Sequence, residues 1–172
     1  YSRETGIAGD ETQATLFAAS VFGMLTQKPS EINTTFNYLK EKMGAQAACD
    51  YLYNLSVMNN YIQKTAISKN LLWEYRDGDK YPKCALCPEN EGYLGSYTHP
   101  PRSNLRTVSL SLGGEEWSMQ YSPYAYFNEH CIVFNKHHTP MQMTRQTITK
   151  LFDFIDILPN YFIGSNSDLP IV

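Results

Sequence analysis

Charge is scarce in this chain. Asp, Glu, Lys and Arg make up 18% of its 172 residues, against a usual quarter, and the net charge is only -3. That balance argues against broad, nonspecific nucleic-acid binding, though it leaves room for a local phosphate site. Long apolar runs are missing too: no segment approaches the roughly 18 or more consecutive apolar residues of a membrane span. Cysteine is sparse, with Cys49, the close pair Cys84 and Cys87, and Cys131, and no charged-then-apolar leader precedes the first helix, so nothing reads as a secreted disulfide scaffold. A Walker loop, a dinucleotide fingerprint, a Gly-x-Ser-x-Gly elbow, an internal repeat and a low-complexity segment are all absent. Tyrosine is plentiful, at 13 residues beside 8 Phe and 2 Trp. Such a count suits strands, one face of which can turn toward a polar ligand. The length is that of about one domain, enough to bury an apolar core. Tyr1 in place of Met, and the apolar end Leu169-Pro170-Ile171-Val172, read as cuts in a longer protein.

Residues 10 to 75 read as helical. Asp10 with Gln13 makes a capping-box start, and Phe17, Val21, Met24 and Leu25 share one face. Ser30, after Pro29, is the expected cap of a second helix with Ile32, Phe36, Leu39 and Met43 on one face, and Gly44 is placed to end it. A third helix from about Ala45 carries Ala48, Leu52 and Leu55. From Tyr81 to Asn104, Gly, Pro, Asn and Tyr dominate and predict loop. Alternation over Arg106 to Leu112 and Trp117 to Tyr121, across Gly113-Gly114, predicts an antiparallel hairpin, with a third strand at His130 to Phe134. Thr144 then caps a helix with an Ile148, Leu151, Phe152, Ile155 stripe that stops before Pro159. Helices first and a meander later make the class α+β, with a helical region over 1–79 and a sheet domain over 80–172.

Cys84-Ala85-Leu86-Cys87, between Pro82 and Pro88, carries the sharpest chemical signal, since two thiolates three residues apart on a tight turn can face one tetrahedral ion. A redox dithiol and two idle thiols are the alternatives, although no strand leads into the pair as in thioredoxin-type motifs. Zinc needs further ligands, to be sought among His99, His130, His137 and His138; neighbours on a strand point to opposite sides, so at most one of the last two faces the ion. Cys49 and Cys131 sit within apolar patterns and read as core. Arg102 and Arg106 stand where loop enters strand, where guanidinium forks grip phosphate or, more plainly, pair with Glu115 or Glu116. Ser165-Asn166-Ser167-Asp168 is a polar turn.

Longer words go further. Tyr81-Pro82-Lys83-Cys84-x-x-Cys87, Glu89-Asn90-Glu91-Gly92-Tyr93, His99-Pro100, Gln120-Tyr121-Ser122-Pro123-Tyr124, Asn128-Glu129-His130-Cys131-Ile132, His138-Thr139-Pro140-Met141 and Tyr161-Phe162-Ile163-Gly164-Ser165-Asn166 resemble the Gram-positive bacterial type of UDP-glucose-hexose-1-phosphate uridylyltransferases. The resemblance is strongest over residues 80 to 172 and extends, less sharply, over the helical part. It implies an open, mostly antiparallel sheet of histidine-triad type. It also implies a ping-pong reaction of the Leloir pathway in which a histidine takes UMP from UDP-glucose and passes it to galactose 1-phosphate. Zinc held by Cys84, Cys87 and His138, a phosphate contact from Asn166, a homodimer and a cytoplasmic location follow from the same likeness. Arg102 and Arg106 join Asn166 as expected substrate contacts, and the charge balance and short apolar runs leave neither nucleic-acid nor membrane partners expected. Two departures accompany it. The family's His-x-His-x-Gln motif, with the nucleophile and a fourth metal ligand, is absent and expected beyond Val172, and a longer segment with a strand is missing between Gly78 and Tyr81. The alternative is a noncatalytic zinc-stapled module that binds a nucleotide or a protein.

Overall fold

A computed structural model describes residues 4–62, 84 and 86–165. The helical reading beyond residue 62, the turn at 166–168 and the segment between Gly78 and Tyr81 lie outside the described residues. Three helices come first, α1 over Glu11–Leu25, α2 over Pro29–Met43 and α3 over Ala45–Met58. After a single 3-10 turn at Pro88–Asn90 come β1 (Val108–Leu112), β2 (Glu115–Tyr121), β3 (Cys131–Asn135) and α4 (Arg145–Ile157). The described strands form one antiparallel sheet in the order β1-β2-β3, so the architecture is α+β.

Local chemistry sets the ends of these elements. Asp10 accepts the Gln13 N–H at 2.8 Å, while the Gln13 side chain reaches back one residue further than a standard capping box, to the Gly9 N–H at 2.7 Å. The second helix starts earlier than expected: Pro29 is its first residue, Lys28 precedes it, and Glu31 accepts the Lys28 N–H at 3.1 Å. Proline's fixed φ and missing donor suit the first helical position, which displaces Ser30 from the cap. Gly113 and Gly114, at φ 58° and 77°, form the two-residue hairpin turn that matches the strand twist and sets Leu112 opposite Glu115.

Helices and sheet share one core. Ile32 and Phe36 of α2, Ala48, Cys49 and Leu52 of α3, and Phe154 and Leu158 at α4 meet the inward row Val108, Leu110, Leu112, Met119 and Tyr121. The outer edge of β1 is closed by a side chain of α2: Asn33 donates to the Thr107 carbonyl at 3.1 Å and accepts the Ser109 N–H at 2.7 Å, occupying strand groups that would otherwise be open to another chain. At the hairpin end, Asp153 of α4 accepts the Gly113 N–H at 2.8 Å, and Lys150 pairs with Glu115 at 2.6 Å beside the Trp117 ring. α1 reaches the long loop. Gly23 passes so close to the Ser103 backbone that a Cβ there would lie 2.6 Å from its carbonyl oxygen.

Candidate metal centre

The turn that carries the two thiols is closed by its own backbone and by one amide. The Cys87 N–H donates to the Cys84 carbonyl at 3.3 Å, and the Asn90 N–H to that of Cys87 at 3.0 Å. The Asn90 side-chain Nδ2 donates to both cysteine carbonyls, at 2.7 Å and 2.9 Å. Downstream, the turn is pinned to the sheet: the Glu91 carboxylate accepts the Thr107 N–H at 2.8 Å and its hydroxyl at 3.1 Å, immediately before β1. Gly92 and Tyr93 exchange backbone bonds with Arg102 at 3.1 Å and 2.8 Å.

Onto this turn comes a histidine from the far end of β3. His138 Nδ1 lies 3.0 Å from Cys87 Sγ, and the ligand atoms of Cys84, Cys87 and His138 all fall within 4.8 Å of one another. Two thiols and an imidazole are the donor types of structural zinc sites. A tetrahedral ion with metal–sulfur and metal–nitrogen lengths of about 2.3 and 2.0 Å would set sulfur and nitrogen roughly 3.5 Å apart, so a small opening of this cluster admits one. The residues present fit the group. Burial, the neighbouring Cys84 and the Glu89 charge push the Cys87 thiol up to about 12, the opposite of the lowered value that marks redox dithiols; a bound cation reverses that preference.

The other histidines go elsewhere. His130 Nδ1 accepts the Tyr126 N–H at 3.0 Å, His99 is buried with Nδ1 at 2.9 Å from the Thr98 hydroxyl, and the His137 side chain is exposed. Thus His138 alone of the adjacent pair enters the cluster. Cys49 is in the core, and Cys131, half-buried beside it, has its thiol pushed up to about 12 by burial.

Of the three expected anion contacts, the two arginines are engaged by backbone carbonyls. Arg106 is only 7% exposed, and its guanidinium donates to the carbonyls of Gln27 (2.8 Å), Ser103 (2.9 Å), Leu105 (2.7 Å) and Gly23 (3.0 Å). It serves the last turn of α1, where carbonyls lack helical partners and the dipole favours a cation. A phosphate would have to compete with four carbonyls for this fork. Arg102 is half-buried, with Nη1 on the Pro101 carbonyl at 3.1 Å, and Asn166 lies outside the described residues. Asn90 and Glu91, which hold the thiol turn, are not singled out by the sequence as site residues; their signal there is their place in the word Glu89-Asn90-Glu91-Gly92-Tyr93 directly after a Pro-initiated turn.

Two thiols and an imidazole that could hold a metal ion, set beside an antiparallel sheet, define the class as an α+β domain with a candidate metal centre. The family described as "Galactose-1-phosphate uridyl transferase, N-terminal domain" matches residues 75–140. The chain is 40% identical to the galactose-1-phosphate uridylyltransferase of Caldanaerobacter subterraneus subsp. tengcongensis over 201 aligned positions that take in all of this chain and 39% of that protein. It is 41% identical to the Butyrivibrio fibrisolvens protein of the same name, over 97% of this chain and 50% of that one. With the Streptococcus mutans protein the identity is 43%, over 90% and 37% respectively. This chain belongs to the galactose-1-phosphate uridylyltransferase family and corresponds to an N-terminal portion of it. It spans between about two fifths and one half of the length of these relatives. The first alignment is longer than the chain, so that relative carries residues with no counterpart here. No solved structure matches the chain.

Proposed function

We propose that this chain is the N-terminal part of an enzyme that moves UMP between UDP-glucose and galactose 1-phosphate through a uridylyl-histidine, on a sheet of histidine-triad type. The observation that carries the reading is identity of about 40% along the whole chain with proteins named for that transfer. A covalent histidine intermediate divides one phosphoryl displacement into two, each with an imidazole as nucleophile or leaving group. None of the four histidines here stands in a His-x-His-x-Gln context, so the nucleophile is assigned to the part of the enzyme outside this sequence.

Within the reaction this portion acts as scaffold. Cys84, Cys87 and His138 would hold a structural zinc, whose chemistry is a cross-link between the long loop and the end of β3. The loop so fixed carries Arg102, the anion contact this reading retains. Asn166 belongs to it by resemblance, and the Arg106 guanidinium contributes by holding α1 to the loop. A dimer and a cytoplasmic location complete the reading. Among the described residues no helix is long and apolar enough to cross a membrane.

Incubation with UDP-glucose labelled in its uridine tests the proposal. The longer enzyme is expected to take up an acid-labile uridylyl group, and this chain by itself none. A longer protein that binds UDP-glucose without ever becoming labelled would favour the noncatalytic binding module instead. Label on any of the four histidines here would overturn the assignment of the nucleophile.

A further inference from the structure

Asn90 is 1% exposed, and nothing in the sequence assigns it a role at the thiol pair. We infer that Asn90 is the positioning residue of the metal centre: its side-chain amide sets the Cys84–Cys87 turn in the shape that lets both thiols meet His138. This rests on the reading of that cluster as a metal site. One nitrogen, Nδ2, donates to the carbonyls of both cysteines, at 2.7 Å and 2.9 Å, while its own backbone N–H donates again to Cys87. Drawing both carbonyls to one point restrains the backbone torsion of each cysteine, and the backbone so held sets the direction of each Cα–Cβ bond, from which a staggered χ1 can bring Sγ toward His138. The orientation of the amide is forced, because a flip would set Oδ1 against two carbonyl oxygens. Among the described residues Oδ1 has no hydrogen-bond partner, so the side chain's bonding is spent wholly on the two cysteines.

Residue geometry ties this amide to the sheet. Glu91, next in sequence, is clamped to Thr107 at the entry to β1. The thiol pair is thereby referenced, through Asn90 and Glu91, to the same sheet whose third strand delivers His138. Outer-shell partners of metal ligands work in this way, by orienting donors before the ion arrives.

Co2+ is the probe, since its sulfur-to-cobalt charge-transfer and d–d bands report thiolate ligation and tetrahedral geometry directly. The full 172-residue chain is titrated alongside Asn90→Asp, nearly isosteric but without donors, and Asn90→Ala. Asn104→Ala serves as the control: it removes another buried amide, one that donates to the Asn59 carbonyl at 2.9 Å. Both Asn90 variants are expected to weaken cobalt binding by about 10- to 100-fold and to alter the d–d bands. Asn104→Ala is expected to lower the urea midpoint and leave affinity and bands unchanged. Wild-type cobalt affinity in both Asn90 variants would overturn the inference, as would an equal loss in Asn104→Ala. Absence of thiolate–cobalt bands in the unmutated chain would instead overturn the metal-site reading, and this inference with it.

Discussion

The hydroxyl of Tyr121 on β2 meets that of Tyr161, just past α4, with 2.7 Å between the oxygens, and the Tyr121 hydroxyl also lies 3.2 Å from the Cys49 carbonyl in α3. Two phenols thus join a helix of the first half to the strand and chain end of the second. Burial pushes both phenols well above the ordinary range, so they stay neutral donors. The edge of Tyr53 on the Tyr121 ring, 5.2 Å between centroids, closes the group. Tyr121→Phe should destabilise by about 1 to 2 kcal/mol, because it removes the buried bond to the Cys49 carbonyl and leaves the Tyr161 hydroxyl without its Tyr121 partner. Tyr161→Phe should cost less, and the double variant less than the sum of the two. Urea denaturation of the four proteins gives the coupling; strict additivity would mean that the hydroxyls act independently.

Arg106 makes a second case for the loop–helix junction. Its fork satisfies Gly23 and Gln27 at the end of α1 together with Ser103 and Leu105 in the loop. Arg106→Ala leaves four carbonyls to find other donors, with an expected loss of about 3 kcal/mol or more. Lysine replaces the planar fork with a point charge on a different geometry, so Arg106→Lys should recover only part of that loss. If Arg106→Ala unfolds at the wild-type urea concentration yet loses UDP affinity, the guanidinium belongs to substrate rather than to α1.

Glu91 gives the fold a pH dependence of definite sign. Burial raises its carboxyl above the ordinary 4.5, against the opposing bonds from Thr107 and the Arg106 charge. In the window just above pH 4.5 the folded chain therefore holds a proton that the unfolded chain has released, and stability falls as pH rises through it. Glu91→Gln keeps an oxygen for the Thr107 N–H and removes the buried charge. Its urea midpoint should vary less with pH across that window than the wild-type midpoint does. An unchanged slope would assign the dependence to Glu129, whose carboxyl burial also raises.

What could be read from the sequence was what depends on neighbours along the chain. The Asp10 and Thr144 caps, the helix faces of Ile32 and Phe36, and the Gly113-Gly114 turn each involve contacts a few residues apart, and each is where the pattern put it. The start of α2 shifted by one residue because proline's fixed φ outweighs the capping preference of Ser30. Spacing alone identified the thiol pair but left four histidines in play; choosing His138 needed the family likeness, since 51 residues separate it from Cys87. Arg106 was misleading for a related reason. A guanidinium at a loop–strand junction has the same local signature whether it faces a phosphate or carbonyls, and only the docking of α1, some 80 residues earlier in the chain, decides between them.

Metal binding should be visible in the reactivity of the cysteines themselves. Without an ion, Cys87 is held as a thiol near 12 and Cys131 equally high, while Cys49 is enclosed in the core. Cys84, half-buried at the start of the turn, is then the thiol that iodoacetamide should reach first. Zinc requires both thiolates, so binding must release protons and tighten as pH rises. Added zinc should therefore slow alkylation of Cys84 and Cys87 together, with Cys49 and Cys131 unaffected, and the protection should strengthen between mildly acidic and neutral pH. His138→Ala removes the imidazole 3.0 Å from Cys87 Sγ and should raise the zinc needed for protection at least tenfold, whereas His137→Ala, at a residue outside the cluster, should not. Mass mapping of the alkylated peptides checks each site. Equal zinc protection in the wild type and in His138→Ala would mean that the two thiols bind the ion without the histidine, and that the approach of β3's far end to the turn owes nothing to the metal.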